Sequence, residues 1–391
     1  MGGKFKHIAG VIALAGLVGP AFADVSLNIT YLYVETPTPP TLSNLDPEPD
    51  DIGIAGAMTG LDDNNTTGRF LNQTFELSTV TIAEGEDAIA AARTALTASP
   101  YMVMDAPPDV QLVIADLTEA EGAVLFNASA GDLSLRDDQC RGNLLHTKPS
   151  DVMRTDALTQ FFVQKRWDSL VMIAGTYPED QAYAEAVRRS LTKFGLTLGA
   201  EKEWAFDADM RRNAAQEVPL FTQDFGDYDA LIVADETEDF GRYILYNTWE
   251  ARPVTGSEGL RAETWAPVVE QWGAAQLQSR FEEAHSRPMQ PQDYAAWAAI
   301  RTLGEAVTRT NAGDAETLRD YILSDQFELA GFKGRPLTYR TWNGQLRQPI
   351  PLVHDRALVA LAPLEGFLHQ VNEMDSLGLD EPESKCAAFA D

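Results

Sequence analysis

The stretch from Asn143 to Gly195 limits most tightly what this chain can fold into. A turn at Lys148-Pro149-Ser150-Asp151 opens an amphipathic segment whose apolar members include Val152, Leu158, Phe161, Phe162 and Trp167. Ser169–Ala174 is then a short apolar run closed by Gly175, the pattern of a buried strand. Thr176–Asp180 opens a second helix with acids in its first turn, and Gly195 stands just past its end. Helix, strand and helix in about 50 residues make the αβα unit of a doubly wound parallel sheet. The fold class is α/β.

The flanks continue this grammar. Val25–Val34 alternates and reads as a first strand, followed by a proline-rich loop, Glu35–Asp51, with the acids Asp46, Glu48, Asp50 and Asp51. Ile52–Leu61 has helical spacing, and the polar run Asp62–Gly68 is expected to end it. Phe75–Thr81 reads as a strand, Gly85–Ser99 as a helix, Val110–Ala115 as a third strand and Val124–Phe126 as a short fourth. The link Asp116–Gly122 has room for about one helical turn. After Gly195 come a strand at Leu196–Trp204, an amphipathic segment at Asn213–Phe225 and a strand at Asp229–Ala234 with Asp235 at its carboxyl end. A helix is expected at Glu238–Arg252, and others at Ala274–His285, Pro291–Asn311 and Ala315–Ser324. Strands at Arg335–Trp342, Pro349–Val353 and Ala357–Leu361 follow, with Asn343-Gly344 as a type I′ hairpin signal. Residues 364–391 form an acidic tail without periodicity.

The amino terminus sets the compartment. Lys4, Lys6 and His7 precede the apolar run Ile8–Val18 and the small-residue signal Ala21-Phe22-Ala23, the pattern of a secretory signal peptide spanning residues 1–23. The apolar core is too short to span a bilayer, and no later run approaches that length. The chain is therefore expected in the periplasm, without direct membrane insertion. Its net charge of −29 argues against nucleic acid and anionic membrane surfaces as partners. Two cysteines, Cys140 and Cys386, read as one disulfide in an oxidising compartment.

Catalytic motifs are missing: there is no G-x-S-x-G, H-E-x-x-H, G-x-x-x-x-G-K-[ST] or G-x-G-x-x-G. No enzyme activity and no cofactor are expected. The run Asp62–Gly68 fails as a calcium loop, because its sixth position is Thr67 and its twelfth Gln73. Asp46–Asp51 and Asp235–Asp239 are solvated loops or, alternatively, oxygen ligands for a hard cation. The latter would make the chain an acidic metal-binding or metal-delivery protein for calcium or a lanthanide.

Several segments carry a resemblance. Ile54–Asn65 (IAGAMTGLDDNN) resembles the first helix of type I periplasmic solute-binding proteins, the leucine/isoleucine/valine-binding group of ABC transporters. Leu145–Asp151 (LHTKPSD) looks like the opening of their second lobe, and Asp180–Tyr183 sits where their "YG" helix start falls. Phe332–Tyr339 with Asn343-Gly344 resembles their return strand. More narrowly, NNTTGRF, NLLHTKPSD and Trp265…Trp272-Gly273 resemble a subgroup linked to PQQ-dependent alcohol dehydrogenase systems, with relatives in lanthanide-utilisation clusters. The departures are Ala115–Gly122, which lacks the family's Gly-Pro-x-x-Ser turn and its carboxylate-clamp Ser, and His146 in place of Arg.

The resemblance implies two doubly wound lobes, residues 24–141 with 262–326 and residues 142–261 with 327–363. A three-stranded hinge would join them, its crossovers near Cys140–Asn143, Arg252–Ala262 and Ser324–Leu329. It implies a monomer that binds a small-molecule ligand between the lobes and delivers it to an inner-membrane ABC permease. Strand ends then nominate Asn127 and Ser129 from the first lobe and Tyr177, Tyr183 and Asp235 from the second. Glu258 and Trp265 lie near the second crossover, Glu258 matching a family acid that holds a ligand ammonium.

Overall fold

A computed structural model describes residues 24–37, 48–204 and 213–389. The signal peptide and Asp46 lie outside these residues. The first sheet has the order β2-β1-β3-β4-β5 and is parallel throughout. Its strands are β1 (Val25–Val34), β2 (Gln73–Ile82), β3 (Tyr101–Asp105), β4 (Val124–Asn127) and β5 (Leu144–His146). Helices α1 (Ile54–Gly68), α2 (Ala88–Ala98) and α3 (Pro108–Ala115) connect them. The second sheet, β15-β14-β10-β9-β8-β6-β7, is parallel from β10 to β7 and antiparallel at its β14 and β15 edge. It contains β6 (Leu170–Ala174), β7 (Leu198–Glu203), β8 (Ala230–Ala234), β9 (Val254–Gly256) and β10 (Leu260–Ala262), then β14 (Ile350–His354) and β15 (Ala357–Ala362). Its helices are α4 (Asp151–Lys165), α5 (Pro178–Lys193), α6 (Ala214–Thr222) and α7 (Gly241–Ile244).

After β10 the chain returns to the first sheet as α8 (Ala274–His285), α9 (Pro291–Thr310) and α10 (Ala315–Ile322). Their apolar faces share one core with Leu27, Ile29, Tyr101 and Phe126. A small antiparallel sheet, β11 (Leu329–Ala330), β12 (Pro336–Tyr339) and β13 (Leu346–Arg347), then leads into β14. The chain thus passes between the sheets after β5, after β10 and after β13. Leu144–His146, placed beyond the first crossover by sequence, pairs in register with β4. Each sheet is covered on both faces, which is why its strands are nearly continuous apolar runs.

Local chemistry explains the helices that position the site. Ser150 caps α4 through its side chain, which accepts from Met153 N at 3.2 Å, and Arg166 ends it at φ 60°. Pro178 starts α5, and Asp180 reaches back to the Tyr177 backbone as a capping box. The small residues of IAGAMTG have a packing reason: a Cβ on Gly56 would collide with the Asp293 carbonyl where α1 crosses α9.

Four sequence expectations are corrected. Val110–Ala115 is the body of α3, started by Pro107-Pro108, and the third strand is Tyr101–Asp105 just before it. Asp62–Gly68 continues α1 instead of ending it, because Asn64 and Asp63 find partners on α9, at Ile300 O and Trp297 Nε1. Glu238–Arg252 contains only the short α7, since Asp235 draws the backbone N–H groups of 239–241 into a tight turn. Only Gly344 of Asn343-Gly344 has positive φ, so the hairpin is not type I′. The tail, though aperiodic, is ordered through residue 389 and bonded to both halves of the molecule.

Candidate functional site

The carboxyl ends of the two sheets face one another. Glu48, ahead of α1, lies close enough to Glu238, after β8, for their charges to act on each other, and Lys148, just past β5, does so with Glu236 and Glu263 of the second-sheet side. On the first-sheet side, Asn127 ends β4 and is fully buried. Its Oδ1 accepts from Ser129 N (3.1 Å), Ala130 N (2.8 Å) and Gln111 Nε2 (3.1 Å), and its Nδ2 donates to Ala130 O (2.8 Å). Such a residue shapes the loop, with little capacity left for a solute. Ser129 Oγ accepts from Ala106 N at 3.0 Å and donates to Ala106 O at 3.2 Å, joining the ends of β3 and β4. Asp105 accepts from Tyr31 Oη (2.9 Å) and Gln292 Nε2 (2.6 Å), while burial pushes its carboxyl above the usual range.

On the second-sheet side, Asp235 ends β8 and is likewise committed. It accepts from Asp239 N (2.8 Å), Phe240 N (2.8 Å) and Gly241 N (2.6 Å). Glu236 pairs bidentately with Arg154 of α4, at 2.5 and 3.2 Å, and Arg154 Nη1 also reaches Asp151 at 3.3 Å. The same guanidinium lies 4.9 Å from the ring centroid of Tyr183, a fully buried residue whose hydroxyl has no partner among the described residues. Glu258 follows β9, half-buried, with its carboxyl pushed up by burial. Tyr177 is half-buried beside a cavity of about 220 Å³, lined also by Gly175, Thr176, Asp180, Trp204 and Asp239. Trp265 stands apart: its ring stacks on Tyr294 at 4.8 Å and its Nε1 donates to Gln278 Oε1 at 2.9 Å, inside the first-sheet core. A larger hollow, about 960 Å³, lies at the amino ends of β1 and β2, at the opposite end of the sheet from these groups.

Of the residues nominated by sequence, Tyr177, Asp235 and Glu258 share one end of the second sheet, and Ser129 lies across from them on the first. Asn127, Tyr183 and Trp265 are interior. Sequence reasoning missed Asp105, Lys148, Arg154, Asp180 and Glu236 as site residues. Lys148 and Asp180 lay in segments already singled out for their resemblance, whereas the Arg154–Glu236 pair spans 82 positions and leaves no local signal.

Asp180 permits a pH test. Its Oδ1 accepts from Glu236 N (2.7 Å) and Thr237 N (3.3 Å), yet burial and the neighbouring Asp235 push its pKa up to about 7. A carboxyl whose folded pKa is raised contributes stability at low pH that is lost as pH rises from about 4 toward 7. Asp180→Asn is expected to flatten the fall in denaturation midpoint across that window, whatever its constant offset. An unchanged slope counts against this assignment.

Among the described residues no group of three or more His, Cys, Asp or Glu could hold a metal ion, and no helix is long and apolar enough to cross a membrane. No family model and no curated protein matches the chain. Solved structures do. One is an ABC transporter substrate-binding protein from Desulfitobacterium hafniense in complex with Leu, at 15% identity over 85% of this chain and 99% of that chain, with a TM-score of 0.61. Another is a branched-chain amino acid ABC transporter periplasmic ligand-binding protein from Burkholderia xenovorans LB400, at 15% identity over 93% and 100% of the two chains, with a TM-score of 0.70. A third is a solute-binding protein of an ABC transporter from R. palustris in complex with benzoate, at 12% identity over 93% and 99%, with a TM-score of 0.62. The chain therefore has the α/β fold of type I periplasmic binding proteins.

Proposed function

We propose that this protein is the periplasmic solute receptor of an ABC permease, capturing a small molecule between its two sheets. The observation that carries the reading is the facing of the two sets of carboxyl strand ends across three chain crossings. Open α/β sheets bind ligands there, and two such units on crossing strands form a hinge. Each sheet with its helices is one lobe, and the protein works as a monomer. Ser129, Tyr177 and Glu258 face the solute, while Asn127, Tyr183 and Asp235 hold the walls that present them and Trp265 serves the first-sheet core. The relatives with leucine and benzoate bound support a solute of that size. The segments NNTTGRF and NLLHTKPSD support a link to PQQ-dependent alcohol oxidation. Proteins of this kind bind and release their cargo without transforming it.

Small-angle scattering combined with a thermal shift screen of alcohols, quinone-like acids, amino acids and lanthanide ions tests the reading. A solute at 100 times its Kd is expected to add about 2.7 kcal/mol of stability and to reduce the radius of gyration. Stabilisation by a lanthanide alone, without an organic binder, would turn the function toward metal capture. Binding without compaction would remove the hinge.

A further inference from the structure

Lys148 stands on the segment 147–150 that carries the chain from β5 to α4. Its backbone is held on several sides. The N–H donates to Asn127 O at 3.3 Å, and the carbonyl accepts from Arg136 Nη2 at 2.8 Å and Gln345 Nε2 at 3.2 Å. The ammonium acts on Asp105 from the first sheet and on Asp151, Glu236 and Glu263 from the second, so it lies between the two sets of strand ends.

The other cations there are matched. Arg154 is taken up by Glu236, Asp151 and the Ala262 carbonyl. Arg261 pairs with Glu263 at 3.3 Å and Asp355 at 3.0 Å, and Arg136 donates to Gln345 and two carbonyls. Asp105 has its tyrosine and glutamine donors. Among the described cations at these strand ends (Arg136, Lys148, Arg154 and Arg261), Lys148 is the one whose Nζ has neither a carboxylate at ion-pair distance nor a hydrogen-bond acceptor. An ammonium carries three N–H donors and no acceptor, and Lys148, half-buried, leaves all three open to a bound acceptor. Burial and the nearby Arg154 already pull its pKa down.

We infer that Lys148 receives the acidic group of the bound solute, which makes that solute a small organic acid. The inference rests on the receptor reading above and names the solute class for that cleft. A compact point charge suits one carboxylate oxygen better than a planar bidentate contact. A single unmatched cation within reach of four acids also favours a monoanion over a phosphate dianion, which those acids would repel.

The test titrates the purified full chain with acetate, glycolate, benzoate, phenylacetate and leucine, each beside its neutral or cationic amide. Wild type, Lys148→Met and Lys148→Arg are compared by calorimetry and by Tm. At least one acid is expected to bind wild type roughly 30- to 100-fold more tightly than its amide, with Lys148→Met losing that margin and Lys148→Arg keeping most of it. An acid that binds Lys148→Met as tightly as wild type, both variants having the wild-type Tm without solute, overturns the role of Lys148 and leaves the receptor reading standing. Preference for the amides does the same. If no acid or amide binds wild type while an alcohol of the wider screen binds and compacts it, the acid class falls and the receptor reading stands; if nothing in either panel binds, both fall.

Discussion

Replacing Arg340 by Ala is expected to lower the stability of the chain by about 3–5 kcal/mol, the cost of stranding a buried charge partner. Arg340 follows β12, is 1% exposed, and spends its donors on the tail. Nε donates to Asp375 Oδ1 at 2.9 Å, Nη1 to Leu379 O at 3.1 Å, and Nη2 to Met374 O at 3.2 Å and Leu377 O at 2.6 Å. Truncation leaves three carbonyls without that partner and Asp375, itself 3% exposed, with Arg347 Nε at 2.8 Å as its remaining ion pair. Arg340→Lys restores the charge without the planar fork and is expected to recover less than half the loss. Denaturant midpoints read the magnitude, and limited proteolysis reads the place. Cleavage is expected first near Val371, which is 90% exposed, because the following segment loses its anchor. If Arg340→Ala stays within 1 kcal/mol of wild type, the network is ornament and the tail is held by its apolar residues.

That network marks where sequence reasoning reaches its end. The αβα unit around Ser169–Ala174 was legible because its evidence is local: an apolar run, a capping serine, and glycine past the last turn. VQLVIA misled for a local reason too, since a short apolar run fits a buried strand or a buried helix. The deciding signal was Pro107-Pro108 just ahead of it, a helix start that cannot lead into a central strand. The strand itself, YMVMD, has a single β-branched residue and hides in a stretch short of strand formers. The strand-end rule nominated Asp235 because it needs only the strand positions, whereas Glu258 and Trp265 came from the resemblance near the second crossover. Neither signal could tell that Asp235 is consumed by three backbone N–H groups, or that Trp265 turns inward onto Tyr294. Arg154 with Glu236, and Lys148 with Asp105, are meetings between distant segments, and periodicity carries no trace of them. The tail was opaque for the same reason, as its order comes from Arg340, Arg347, Asp156 and Asp137.

The disulfide between Cys140 and Cys386 is expected to matter twice, for stability and for the freedom of the two sheets relative to each other. The tail leaves β15 on the second sheet, where Leu364 N donates to Gln160 Oε1 at 2.9 Å and Gly378 N to Asp156 Oδ2 at 2.8 Å. It then crosses to the first-sheet side, where Lys385 N donates to Asp137 Oδ1 at 2.6 Å and Phe389 packs against that core. With the bond in place the tail is a fourth connection between the halves, and a covalent one. The cross-link closes 246 residues of sequence, so the double variant Cys140→Ser, Cys386→Ser is expected to lose about 2–5 kcal/mol, chiefly through a freer unfolded chain. Its second effect belongs to the folded state. Spin labels at Glu76 and Glu185, exposed positions on the two units, are expected to report a broader distance distribution in the double variant, and in wild type treated with reductant. Loss of stability with an unchanged distribution assigns the bond to the unfolded state alone. A broadened distribution makes it a limit on how far the cleft opens, so that reduced protein releases its solute faster while the cleft residues stay the same.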